Sequence, residues 1–200
     1  MSSWGYNETM KKILLGAAVV LVLGIGFYVF TRDDSPEAPA VAANDYKNIS
    51  YLIEGERVEL KGGVSEAQIE GSASNVVTRY FGNELRTDLD GDGAEDDVAF
   101  IVTQQTGGSG TFFYAVAALK DEAGYRGSDG YFLGDRIAPQ STTLSPNPRH
   151  VNVVVFNYAD RAPGEPLTAQ PSVGKSAYLK IDPESLRWGI VVPDFEGEAR

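Results

Sequence analysis

The chain has 200 residues, a formal net charge of −11 and no cysteine. Less an apolar N-terminal segment, that length leaves one domain able to bury a real core. The acidic excess sets the chain against nucleic acid and anionic headgroups and in favour of cations, while the missing cysteines exclude disulfides, thiolate metal sites and thiol nucleophiles.

Residues 13–30 carry no charged side chain and follow directly on Lys11-Lys12. As a helix they would span roughly 27 Å at ~1.5 Å per residue, close to the ~30 Å hydrocarbon core of a bilayer. This predicts one N-terminal transmembrane helix. The lysines on its short side place residues 1–12 in the cytoplasm as a tail, and the bulk of the chain in the periplasm or outside the cell. A cleaved secretory signal is the alternative, but its first small-x-small site, Ala40-Val41-Ala42, lies beyond two acids and two prolines. Met10-Lys11-Lys12 also has the form of a translation start. Residues 31–45, rich in Ala, Pro and acids, form a flexible tether to a domain over 46–192, with 193–200 as a tail.

Within the domain, strands dominate. Ile49, Tyr51 and Ile53 alternate, and turns at 54–56 and 61–63 bracket a second short run, 57–60. A short helix is expected around 65–69, then a strand at 76–85. The runs 98–102, 112–119 and 151–156 are apolar on both alternate faces, which predicts strands covered on both sides. A further strand at 176–181 stops at Asp182-Pro183, and 185–192 adds a last strand or a loose tail. The pattern gives an all-β domain, a sandwich or partly open barrel, mostly antiparallel.

The densest chemistry lies in Asp88-Leu89-Asp90-Gly91-Asp92-Gly93-Ala94-Glu95-Asp96-Asp97, just before the run 98–102. Two unit charges about 6 Å apart repel by roughly 0.7 kcal/mol even in water, so this density calls for a cation or full exposure. Asp88, Asp90 and Asp92 at loop positions 1, 3 and 5 can surround one hard ion. Gly93 permits the sharp turn, the Ala94 carbonyl stands at position 7 and Asp96 at position 9. One Ca2+ is therefore the expected cofactor. The loop resembles the calcium loops of FG-GAP-type propeller repeats and dockerin-like modules, which implies ion binding by these carboxylates and the position 7 carbonyl. It departs from an EF-hand, since position 12 is Ala99 rather than Glu.

Other motifs are weaker. Gly107-Gly108-Ser109-Gly110-Thr111 lacks the Lys-Ser/Thr of a phosphate loop. Ser172-Val173-Gly174-Lys175 matches Ser-x-x-Lys but follows a proline and contains a glycine, which fits poorly with a nucleophile at a helix start. His150 is the only histidine and has no nucleophile elbow beside it. Asp135-Arg136 and Asp160-Arg161 each follow an apolar segment, and an Arg there can brace its own loop or clamp a ligand carboxylate. Tyr131, Arg136, Tyr158, Asp160 and Arg161 are the expected binding surface.

Residues 46–181 resemble a group of bacterial membrane-anchored envelope proteins with a β-rich outer domain. The resemblance runs through Tyr80-Phe81-Gly82-Asn83-Glu84, the acidic loop, Gly108-Ser109-Gly110-Thr111-Phe112, Leu133-Gly134-Asp135-Arg136-Ile137 and Asn157-Tyr158-Ala159-Asp160-Arg161. It implies location and architecture and supplies no activity. The functional expectation is an anchored, calcium-stabilised outer β domain that binds or scaffolds an envelope protein or glycan, with no nucleic-acid partner. The alternative is a small carboxylate-dependent glycan hydrolase.

Overall fold

Among the described residues, every regular element but one is a strand, the exception being a 3-10 turn, Tyr46–Asn48, whose Asp45 cap accepts the Lys47 N–H. The computed structural model describes residues 45–69, 71 and 74–192. The expected cytoplasmic tail, the 13–30 anchor, nearly all of the tether and the 193–200 tail lie outside them. The described residues belong to the second of two compact units, Val41–Arg200. None of their helices is long and apolar enough to cross a membrane.

Among the described residues the strands build three antiparallel sheets. A hairpin joins β1 (Ser50–Ile53) to β2 (Glu56–Glu59) through a two-residue turn in which Glu54 and Gly55 both take positive φ, 53° and 83°. That backbone matches the twist of the paired strands. The central sheet has six strands. Its path runs β3 (Val64–Gln68), β4 (Asn75–Thr87), β5 (Asp97–Gln105), β6 (Phe112–Asp121) and β7 (Gly124–Gly127), and β8 (Tyr131–Asp135) pairs with the other half of β6. A four-stranded sheet is ordered β12 (Arg187–Ile190), β11 (Val173–Asp182), β10 (Val153–Asp160), β9 (Ala138–Leu144).

Period-two alternation explains how these sheets stack. One face of the central sheet offers Ala99, Ile101, Phe113, Ala115 and Leu119, which cluster with Val154, Phe156, Leu179 and Ile181 of the four-stranded sheet. The opposite face offers Val98, Phe100, Val102, Tyr114 and Val116, which cluster with Tyr51, Ile53 and Leu60 of the hairpin segment. Strands β5 and β6 are thus covered twice, as their apolar runs predict. Fully burying one such large apolar side chain contributes about 1.5–3 kcal/mol. The sheets stack in layers and do not close into a barrel.

Three features differ from the sequence reading. Residues 65–69 are not a helix: Val64–Gln68 pairs with β4, Ser65 opposite Thr78 and Ala67 opposite Val76. The strand expected at 151–156 starts at Val153, because the chain first turns through 145–150, where the Ser145 hydroxyl, Asn147 and His150 bond to one another. The segments β7, β8 and β9, absent from the reading, are strands held by pairing to β6 and β10.

Candidate metal site

The acidic loop is fastened at both ends by core side chains. Leu89 is 1% exposed and sits in the cluster shared by the two larger sheets, so position 2 of the loop is a plug in the core. Asp97 opens β5 and is also 1% exposed. Its Oδ2 accepts the backbone N–H groups of Leu89 at 2.8 Å and Asp90 at 3.1 Å, and its Oδ1 accepts that of Lys120 at 2.7 Å. Burial pushes this carboxyl above its ordinary range, against the pull of the Lys120 and Leu89 N–H groups and in concert with the nearby charge of Asp90.

Between these anchors the loop folds around its own carboxylates. Asp88 accepts from Gly91 N at 2.6 Å and from Gly93 N at 3.0 Å. Asp90 accepts from Asp92 N at 3.0 Å, and Asp92 from Ala94 N at 2.7 Å. Gly91 and Gly93 take φ of 87° and 92°, the left-handed region that an L side chain enters at a cost, which is why glycine alternates with aspartate here. On the outer side the Asp96 carbonyl accepts from Arg86 Nη1 at 3.2 Å and from the Tyr125 hydroxyl at 3.1 Å.

The result is a group of carboxylates, Asp88, Asp90 and Asp97, each offering one oxygen, with these oxygens within 4.8 Å of one another. Such a set could hold a metal ion, and all-oxygen donors suit a hard cation. Two of the three, Asp88 and Asp90, are residues the spacing singled out. The third, Asp97, was missed because it reads as the first residue of the strand. The available signal was its parity: residues 97, 99 and 101 share a face, so a polar residue at 97 points at whatever covers Ala99. The side chains of Asp92 and Asp96 are not in this group.

A second polar cluster lies beside the loop. Glu84 accepts the hydroxyls of Tyr46 and, at 2.5 Å, Tyr80, and pairs with Lys47 at 3.4 Å. Burial opposes the charge on Glu84, but donation from both tyrosines and from Lys47 outweighs it and holds the carboxyl below its usual range. Arg86 lies over the Tyr46 ring while bonding the Asp96 carbonyl, so the acidic loop is linked to the point where the chain enters the domain.

The other predicted residues are braces. Arg136 forks onto its neighbour Asp135, with Nη2 at 2.7 Å from Oδ2. Arg161 donates to the carbonyls of Ala169 at 2.8 Å, Arg136 at 3.1 Å and Asp135 at 3.3 Å. Asp160 pairs with Lys175 at 2.6 Å, and Tyr158 is 9% exposed while Tyr131 packs beside it against the same core. The five lie in one region, but Arg136 is engaged by Asp135, Asp160 by Lys175, and Arg161 by backbone carbonyls. Ser172 and Lys175 flank the start of an extended strand, not a helix. No protein-family model matches the chain, and neither a curated protein nor a solved structure matches it.

Proposed function

We propose that residues 46–192 form a calcium-stabilised β module that is held outside the membrane by the 13–30 anchor and binds or scaffolds components of the cell envelope. The observation supporting this reading is the convergence of Asp88, Asp90 and Asp97 at the head of a central core strand. One Ca2+ would draw carboxylate oxygens from these three residues, with Asp92, the Ala94 carbonyl and Asp96 completing the coordination. The ion would offset the burial of Asp97 and the mutual repulsion of the loop, and so fix the geometry of β5 and its neighbours. Occupied at 100 times its dissociation constant, it would add ~2.7 kcal/mol of stability.

The test is a calorimetric titration of the purified, chelator-treated full-length protein with calcium chloride, paired with melting curves in calcium and in chelator. Saturable one-site binding with a higher melt supports the reading. Absence of heat with equal melts overturns it and leaves the loop as an acidic turn pinned by Leu89 and Asp97.

A further inference from the structure

The β1–β2 hairpin roofs only part of the central sheet. Where it stops, a cleft of about 480 Å3 opens between β2 and the β3–β5 side of the sheet, with walls that include Ile53, Val58 and Val76. Its floor carries a polar row, since Ser65 stands opposite Thr78 and Thr78 opposite Gln104, on the face that bears Phe100 and Val102. Thr78 is 2% and Gln104 9% exposed. One bond joins them, Gln104 Nε2 to Thr78 Oγ1 at 3.2 Å. The Gln104 carbonyl oxygen and its remaining N–H have no protein partner among the described residues. Gln104 is not among the described side chains with a buried unpaired atom, so these groups open to water in the cleft, and a ligand donor or acceptor can take that water's place.

The roof's own edge points to what such a ligand is. In an antiparallel pair the residues alternate between bonding inward and bonding outward. Leu52 bonds outward: its N–H donates to Ser128 O at 3.1 Å, and its carbonyl accepts from Gly130 N at 2.8 Å. Arg57, its partner in the register, therefore turns its N–H and carbonyl to the opposite edge, above the cleft. No backbone bond meets them among the described residues. One edge of the hairpin is already paired with a passing segment, and the other is open over a cleft with a hydrogen-bonding floor.

We propose that this edge is a strand-accepting site: an extended peptide segment of a partner protein pairs with β2 and completes the roof. Its inward aliphatic side chains fill the cleft, and an inward polar one reaches Gln104. Glu54 and Glu56 stand at the rim with Arg57, and the chain as a whole carries −11, so the favoured peptide is basic on its outward face. This rests on the reading of the domain as a binding module and uses none of the ion-loop residues.

The test immobilises the full-length chain and selects from a displayed library of random peptides of about twelve residues. Enriched peptides are then measured against Arg57→Pro, which removes the outward N–H without touching a hairpin bond, and Ala67→Trp, which fills the cleft from an exposed position. The expected result is alternating aliphatic and basic peptides that lose about tenfold or more in affinity to each variant. Arg57→Pro makes the rim more acidic, so a loss there cannot be electrostatic. Amide exchange at β1 verifies that the hairpin still forms. Enriched peptides indifferent to both changes overturn the site while leaving the domain a binder, and failure to enrich any peptide overturns both for peptide partners.

Discussion

Asp97 accepts the Leu89 N–H at 2.8 Å with one carboxylate oxygen while the other accepts from Lys120 N at 2.7 Å. One buried side chain thereby ties the acidic loop to the strand it feeds and to the next strand. An amide cannot replace it, because Asn has one acceptor oxygen and would turn its NH2 toward another N–H. We expect Asp97→Asn to lower stability by about 2–4 kcal/mol in chelator, where no ion contributes. Urea unfolding measures this. A loss below about 1 kcal/mol would mean that Leu89, not Asp97, anchors the loop.

Asp90→Ala should behave in the opposite way. Its carboxylate accepts one N–H, that of Asp92 at 3.0 Å, in a solvent-exposed bond, and its removal relieves repulsion within the loop. In chelator the variant should therefore unfold within about 0.5 kcal/mol of the parent. In saturating calcium the parent should gain stability and the variant should not. Equal melting of the two proteins in calcium would sink the ion assignment.

The difference between these two aspartates marks how far the sequence could be read. Asp88 and Asp90 announce themselves by spacing, because a loop that wraps an ion has a fixed local geometry. Asp97 does not, since its role depends on Lys120, which reaches it only through the pairing of β5 with β6. The fold divides along the same line. Apolar runs at 98–102 and 112–119 were legible as doubly covered, because the need for cover on both faces is written in consecutive side chains. Ser65-Glu66-Ala67-Gln68 was not legible as a strand, since its pairing with β4 decided its conformation against the helical preference of Glu, Ala and Gln. In β7 and β9, Gly124, Gly127 and Pro139 hide strands that exist because a partner strand is already in place.

Gly127 has no room for a side chain. A Cβ there would lie 2.2 Å from the Ser50 carbonyl oxygen and 2.9 Å from the Tyr51 ring. Backbone cannot yield as a flexible side chain can, so Gly127→Ala should push the hairpin off the central sheet and cost about 2–4 kcal/mol. Faster amide exchange in Tyr51–Ile53 than in β5 would locate the damage. Uniform destabilisation, with the hairpin still protected, would refute this account of the glycine.

Arg161 forks across three carbonyls that close the loop 161–172 onto the turn after β8. Lysine keeps the charge but not the planar fork. Arg161→Lys should cost about 1–2 kcal/mol and expose 161–172 to limited proteolysis, with little change in calcium response. An unchanged cleavage pattern would assign the ordering of that loop to Asp160 and Lys175.

The same region sets part of the acid limb of stability. Asp135 is held below its ordinary value of 3.8 chiefly by the Arg136 guanidinium, against the effect of burial, with a lesser pull from the Thr111 N–H. Asp160 is held below it chiefly by Lys175. Ionisation is thus easier in the folded state than in the unfolded one. The stability each group contributes is present above the unfolded value and is lost as pH falls through the lower folded one. Both pairs are largely solvated, so screening by water keeps the contribution of each small at neutral pH. Replacing both aspartates by asparagine should lower the urea midpoint at neutral pH, and the gap from the parent should close as the pH drops through the carboxylate range. High salt should narrow it at neutral pH. If the gap instead stays constant across the titration, these side chains act through hydrogen-bond geometry and not through charge.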